Sequence, residues 1–309
     1  LSIKDSIIKK SKDLGFSKIG FASVRKLERE ADFLQLWHDN NYSAGMDYII
    51  RNKEFRADPT IVLPEAKTVI ALAYNYYKSA NRKSGIGKIS RHAWGEDYHT
   101  VVKTKIREFA SYIESVNGEG FKYFISLDGG KAFEKRWAEI AGIGWQGKHS
   151  LIINKEYGSW SFLGLIICNL DVEYDEEHKN HCGACRKCIE ACPTGAIVAD
   201  KVVDARKCLS FLTIEDRKNM FSDNFNSSAN YIYGCDICQE VCPWNRKAKI
   251  SEDPAFEPIN DETELATERI IGMHNDDFKI RFENSPILRI KLKKLKSNAE
   301  ALINCKKED

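Results

Sequence analysis

The chain has 309 residues, of which 43% are hydrophobic and 30% charged, with a net charge of +2. That balance belongs to a globular protein with room for one large or two ordinary domains, and it excludes a disordered chain and a global field that would draw in nucleic acid. No apolar run approaches the ~18 residues of a membrane span. The opening Leu1-Ser2-Ile3-Lys4-Asp5 does not resemble a secretory signal, and so many reduced-type cysteines predict a cytoplasmic setting.

Ile3, Ile7, Ile8 and Leu14 recur at helical spacing up to Gly15, a helix stop, and residues 17–22 read as a short strand. A second helix is expected over 28–40, followed by a loop punctuated by Pro59 and Pro64. Residues 68–74 are a continuous apolar run of strand length, the pattern of a buried central strand. Residues 79–91 are Gly-, Ser- and Lys-rich and predict a loop. From 97 to 116, Val101, Val102, Ile106, Phe109, Ala110 and Ile113 share one helical face. A strand over 121–127 ends at Asp128-Gly129-Gly130, a helix follows over 131–141, and the glycine-studded 142–148 loop leads to further strands near 151–153 and 161–170. This alternation predicts an α/β or α+β domain over 1–175.

Cysteines then dominate. Residues 182–193 read C-x2-C-x2-C-x3-C-P and residues 235–243 read C-x2-C-x3-C-P, one thiolate short, with Cys208 between them to supply it. The first is the run that holds clusters in bacterial two-cluster ferredoxins, whose fourth Cys serves the other cluster. Under that crossover rule Cys182, Cys185, Cys188 and Cys242 hold one [4Fe–4S] cluster, and Cys192, Cys208, Cys235 and Cys238 the other. Zinc prefers separated CxxC pairs, and a disulfide framework suits short secreted chains. Cys168 and Cys305 are expected to be non-ligands, Cys168 as a small core residue. The cluster region is expected over 176–250, and 251–309 forms a helical, basic C-terminal segment.

A redox wire needs a terminus, yet there is no G-x-G-x-x-G after a strand and no phosphate loop. Asp97-Tyr98-His99-Thr100-Val101-Val102 begins like the D-x-H-x-x-G cobalamin signature, but Val102 replaces the glycine, and His99 is read as a helix-start polar residue rather than a metal ligand. The residues alone therefore define a two-cluster oxidoreductase with an unidentified second centre.

Several blocks together resemble the epoxyqueuosine reductase family: Gly45-Met46-Asp47-Tyr48, Arg56-Ala57-Asp58-Pro59, Asp97-Tyr98-His99, Gly142-Ile143-Gly144-Trp145-Gln146-Gly147-Lys148-His149-Ser150, Ser210-Phe211-Leu212-Thr213, and Cys242-Pro243-Trp244-Asn245. The resemblance implies an α+β chain: an α/β corrinoid-binding domain similar to that of reductive dehalogenases, a ferredoxin-like double-cluster domain and the helical tail. It implies reduction of epoxyqueuosine to queuosine at the wobble position of tRNA with a GUN anticodon. The cofactors would be two [4Fe–4S] clusters and base-off cobalamin, the partner an external one-electron donor (flavodoxin or ferredoxin), and the state a monomer. Asp128 would be the proton donor, with a pKa raised by burial near the corrin. The family's D-S-A-P-x-L-E has become Asp128-Gly129-Gly130-Lys131-Ala132-Phe133-Glu134 here. Candidate corrin contacts are Arg51, Arg91, Tyr98, Asp128, Lys148, His149, Ser150, Ser210 and Thr213. Lys279, Arg281, Arg289, Lys291, Lys293 and Lys294 would meet tRNA phosphates. The alternatives are a corrinoid-dependent reductase of a small molecule and a non-catalytic iron–sulfur electron carrier.

Overall fold

The structure, a computed structural model, describes residues 2–79, 87–128, 131–216, 229–259 and 263–305. Gly129, Gly130, most of the 79–91 segment and the side chain of Cys305 lie outside the described residues.

The strands in chain order are β1 (Lys18–Ser23), β2 (Thr68–Asn75), β3 (Lys88–Ile89), β4 (Tyr123–Leu127), β5 (Trp145–Gln146), β6 (Ile152–Ile153), β7 (Ser161–Cys168), β8 (Ile197–Ala199), β9 (Val202–Val203) and β10 (Tyr231–Tyr233). The main sheet has the order β1-β2-β7-β4, and every neighbouring pair is antiparallel. The N-terminal part is therefore α+β. β2 is central and buried along its whole length because helices cover both faces. On one face Ile70, Leu72 and Tyr74 pack with Ile7 of the Ile3–Asp13 helix and with Ile106, Phe109 and Ile113 of the Tyr98–Asn117 helix. On the other, Val69, Ala71 and Ala73 meet Trp137, Ala138 and Ala141 of the Glu134–Ile140 helix and its cap.

The small residues on that second face let the helix come close. A Cβ placed on Gly20 of β1 would lie 1.8 Å from the carbonyl oxygen of Ala141. Gly20→Ala is expected to cost about 1–3 kcal/mol as overpacking, read as a lower midpoint of denaturant unfolding.

The cysteine-bearing part is not a separate body hung on a linker. β10 pairs in parallel with β3, so the segment read as a loop contains a short strand. Its sequence concealed that because so short a strand shows no period of its own. Trp94, Ile89 and Tyr233 share a core with Ile270, Phe278, Phe282, Leu295 and Leu302, so the C-terminal helices cover the junction. Cys168 is fully buried in β7, a core residue.

Candidate active site

The Tyr98–Asn117 helix begins with Asp97, whose carboxylate accepts the His99 N–H as an N-cap and also holds His99 Nδ1 at 2.7 Å. β4 ends one residue before Asp128, which takes φ 43°. That left-handed conformation costs an L-residue about 1–2 kcal/mol, and it carries the Asp128 carboxylate onto the start of the helix. There its Oδ2 meets His99 Nε2 at 3.2 Å and accepts the Tyr98 hydroxyl. Tyr98 is itself held flat on Phe162 of β7, with ring centres 4.1 Å apart.

Both imidazole nitrogens of His99 thus face carboxylates, an arrangement for an imidazolium. Its pKa is raised, chiefly by the Asp128 hydrogen bond and against the desolvation that opposes charge. Asp128 moves the other way. Burial works to raise its pKa, but the hydrogen bonds from His99 and Tyr98 and the charges of His99 and Arg289 outweigh burial and hold it at about 2. These shifts favour a carboxylate on Asp128 and a proton on His99, whereas the neutral acid is expected beside a bound corrin.

Electrostatic reach links the cysteines in two groups. Cys188 feels the charges of Cys242 and Cys182, and Cys242 those of Cys182 and Cys185. Cys238 feels Cys235, Cys208 and Cys192. Backbone donors surround the thiols: Ala196 N lies 3.2 Å from Cys192 Sγ, Ser210 and Phe211 donate to Cys208, and Trp244 and Asn245 donate to Cys242.

Lys135, at the start of the Glu134–Ile140 helix, keeps solvent access, and sequence reasoning passed over it. The protein atoms crowding it lower its pKa, while Glu134, Asp128, Cys208 and Cys238 all lie within reach of its charge. His149, 4% exposed, faces the same Lys135, and burial pushes its pKa down to about 4. Its Nδ1 accepts Leu151 N–H at 3.3 Å, so Nε2 carries the hydrogen, and this buried donor has no partner. These residues fit a group rich in amide oxygens, such as the corrin rim. They also fit base-off binding, because the two His99 nitrogens are occupied and His149 offers a donor rather than a lone pair.

The other corrin candidates are dispersed. Arg91 pairs with Asp236 at 3.2 Å and Glu240 at 2.6 Å, anchoring the turn beside Cys235. Lys148 pairs with Asp200 at 3.2 Å. Ser150 takes φ 68° and its hydroxyl accepts from Gln146 at 3.2 Å. Thr213 is fully buried, its hydroxyl donating to Leu209 O and accepting Gly234 N–H, which fixes the approach to Cys235. Ser210 is partly buried beside Cys208, and Arg51 is exposed at the end of a short helix.

The basic set also divides. Lys279, Lys291 and Lys293 are exposed. Lys294 pairs with buried Asp216 at 3.5 Å. Arg289 stays exposed but is not free: it pairs with Glu215 and lies within electrostatic reach of Asp128, Tyr98 and Tyr233. Arg281 lines a cleft of about 840 Å³ with Glu96, Arg269 and Asp277. That cleft lies behind Asp97, whose N–H donates to Asn284 O, and not at the Asp128 carboxylate, so the ionisable constellation rather than cavity size marks the site.

The fold and these two thiol sets define a double [4Fe–4S] oxidoreductase: a model of 4Fe–4S double cluster binding domains matches residues 181–245. A second model, described as epoxyqueuosine reductase QueG, DUF1730, matches residues 56–128. An epoxyqueuosine reductase of Atelocyanobacterium thalassa is 39% identical over 97% of this chain and 99% of its own length. The chain belongs to the epoxyqueuosine reductase family. A crystal structure of epoxyqueuosine reductase with a tRNA-Tyr epoxyqueuosine-modified stem loop superposes with a TM-score of 0.88, at 30% identity over 97% of this chain and 80% of that one. The Bacillus subtilis enzyme, solved with its catalytic Asp loop swung out of the active site, gives a TM-score of 0.85 at 30% identity, over 97% and 81% of the two chains. Among the described residues, no helix is long and apolar enough to cross a membrane.

Proposed function

We propose that this protein reduces epoxyqueuosine to queuosine at the wobble position of a GUN-anticodon tRNA, in the cytoplasm, as a monomer fed by a flavodoxin or ferredoxin. The observation that carries the reading is the Asp97–His99–Asp128 chain, with Lys135 within electrostatic reach of both Asp128 and the Cys208 and Cys238 thiols. Cobalamin bound beside this chain would be held by His149 Nε2 and Lys135, and when bound it supplies the reduced metal centre that epoxide deoxygenation requires.

Removing the epoxide oxygen as water takes a pair of electrons and a pair of protons. The chain's residues manage the protons. His99 stores one between Asp97 and Asp128, and the Tyr98 hydroxyl completes the shell of the Asp128 carboxylate. Once substrate covers the site and excludes water, charge separation within the His99–Asp128 pair becomes costlier. The proton then moves to Asp128, which delivers it to the oxygen as the C–O bond breaks. Asp128 is supported in this role by the catalytic Asp loop named for the Bacillus subtilis relative. Arg289 stands where a flipped nucleotide's phosphate would enter and can exchange Glu215 for it. Lys279, Lys291 and Lys293 extend the contact along the anticodon arm.

Anaerobic turnover of epoxyqueuosine tRNA, with and without added cobalamin and read by nucleoside mass spectrometry, tests the reading. Cobalamin-dependent loss of one oxygen supports it, and no reaction with clusters and corrin bound overturns it. The pH profile carries a second expectation. The proton on His99 is present below its pKa, which lies above the ordinary 6.5, and is lost above it. kcat/KM should therefore fall as pH rises through that raised value, and His99→Gln should remove this limb.

A further inference from the structure

The two thiol sets are differently placed. Cys208 and Cys238 share electrostatic reach of Lys135 with Asp128, whereas the first set is flanked by exposed Gly183, Ala184 and Pro243, with Cys182 and Cys185 partly covered. The first set is therefore the end of the wire away from Asp128, and its flanks are open to solvent. Its surface has a definite chemistry. Trp244 stands edge-on to Trp145, with ring centres 5.0 Å apart, and 6.0 Å from His181, giving a small, stiff, largely apolar centre.

Cations ring this centre. Lys155 and Lys179 lie within electrostatic reach of His181, Arg186 and Lys187 follow Cys185, and Arg246 and Lys247 follow Cys242. All are exposed, and none forms an ion pair with a described residue. Nearby Glu156 is already shared between Lys18 and Lys249 and Glu240 is paired with Arg91, which leaves Glu190 as the exposed acid of the first ligand loop. A net charge of only +2 over the chain makes this a local surplus. An apolar centre with a like-charged rim suits transient docking, where charge sets the encounter rate and little desolvation is required.

We infer that this surface, around the 182–188 loop and Trp244, is the docking site of an acidic one-electron carrier protein. Its reduced centre passes one electron at a time to the Cys182/Cys185/Cys188/Cys242 cluster. The carrier is oxidised by one electron per encounter and the cluster reduced by one, with no bond made or broken. The inference rests on reading the clusters as an electron path, but it does not depend on which substrate is reduced, since its test follows the clusters themselves.

The experiment is anaerobic stopped-flow reduction of the cluster-loaded protein, followed by the loss of cluster absorbance. Reduced flavodoxin serves as the acidic probe and photoreduced deazaflavin as a small reductant that needs no docking. Arg186→Glu/Lys187→Glu and, away from the ligand loops, Lys155→Glu are compared with the unaltered chain. Flavodoxin should reduce the unaltered clusters more slowly as salt rises, and the charge reversals should slow it by about tenfold or more at low salt. Deazaflavin rates should not change. A salt-independent flavodoxin rate with unaffected variants overturns the inference, as does equal slowing with deazaflavin, which would place the effect in the clusters. Weakened binding of a tRNA stem loop with unaltered flavodoxin rates also overturns it and makes the surface an RNA contact.

Discussion

Asp128→Asn lowers turnover of epoxyqueuosine tRNA by about 10²- to 10⁴-fold, the range for losing a positioned acid, while both clusters and the corrin stay bound. Asn is the informative substitution because it tolerates the left-handed φ of 43° at this position and can still accept the Tyr98 hydroxyl. What it cannot do is balance an imidazolium. The hydrogen bond that His99 donates to Asp128 is the largest influence raising the His99 pKa, so the variant should hold His99 neutral to lower pH. Titration of His99 by NMR therefore provides a readout separate from turnover: its pKa falls towards the ordinary value in the variant. Full turnover in Asp128→Asn, or an unmoved His99, would remove Asp128 from the proton path. A loss of turnover accompanied by loss of iron would place its role in folding instead.

Much of this arrangement could be read in the chain, and what could not has a common cause. The 68–74 apolar run, the single apolar face of the 97–116 helix and the cysteine spacings are local patterns, and local patterns survive into the fold. The state of Asp128 is not local. It depends on β4 delivering the carboxylate to a helix start that lies thirty positions earlier, where His99 is drawn towards its protonated form chiefly by Asp128 itself, with Asp97 adding to the pull. Read alone, His99 is a polar residue near a helix start, and Asp128 is an acid expected to be neutralised by burial. Lys135 was hidden differently: in a helix whose other face packs on β2 and β7, an exposed lysine looks like ordinary surface, and only the fold brings the thiols at 208 and 238 within reach of its charge. Arg289 and Lys294 share one basic stretch, yet Glu215 and Asp216, adjacent to each other, hold them. Charge density along a sequence does not tell which cations remain free for phosphate.

Cys192→Ala and Cys242→Ala test the ligand crossover, and each is expected to abolish reduction of tRNA while removing the cluster that lies farther away in sequence. Cys192 belongs to the first cysteine run, but Cys235 and Cys238 lie within reach of its charge. Cys242 ends the second run, but Cys182, Cys185 and Cys188 lie within reach of its own. Each variant should lose about half its iron, and the two should retain different EPR signals on reduction. The chemistry at Asp128 stops in both cases for different reasons. Without the Cys242 cluster, electrons have no entry at the docking surface, yet a small reductant can still reach the other cluster directly, since its four cysteines are only partly covered. Without the Cys192 cluster, the entry is intact but nothing carries charge onward to the Asp128 site. Turnover driven by photoreduced deazaflavin should therefore recover partly in Cys242→Ala and not in Cys192→Ala. Recovery in the opposite variant would reverse the order of the clusters along the path.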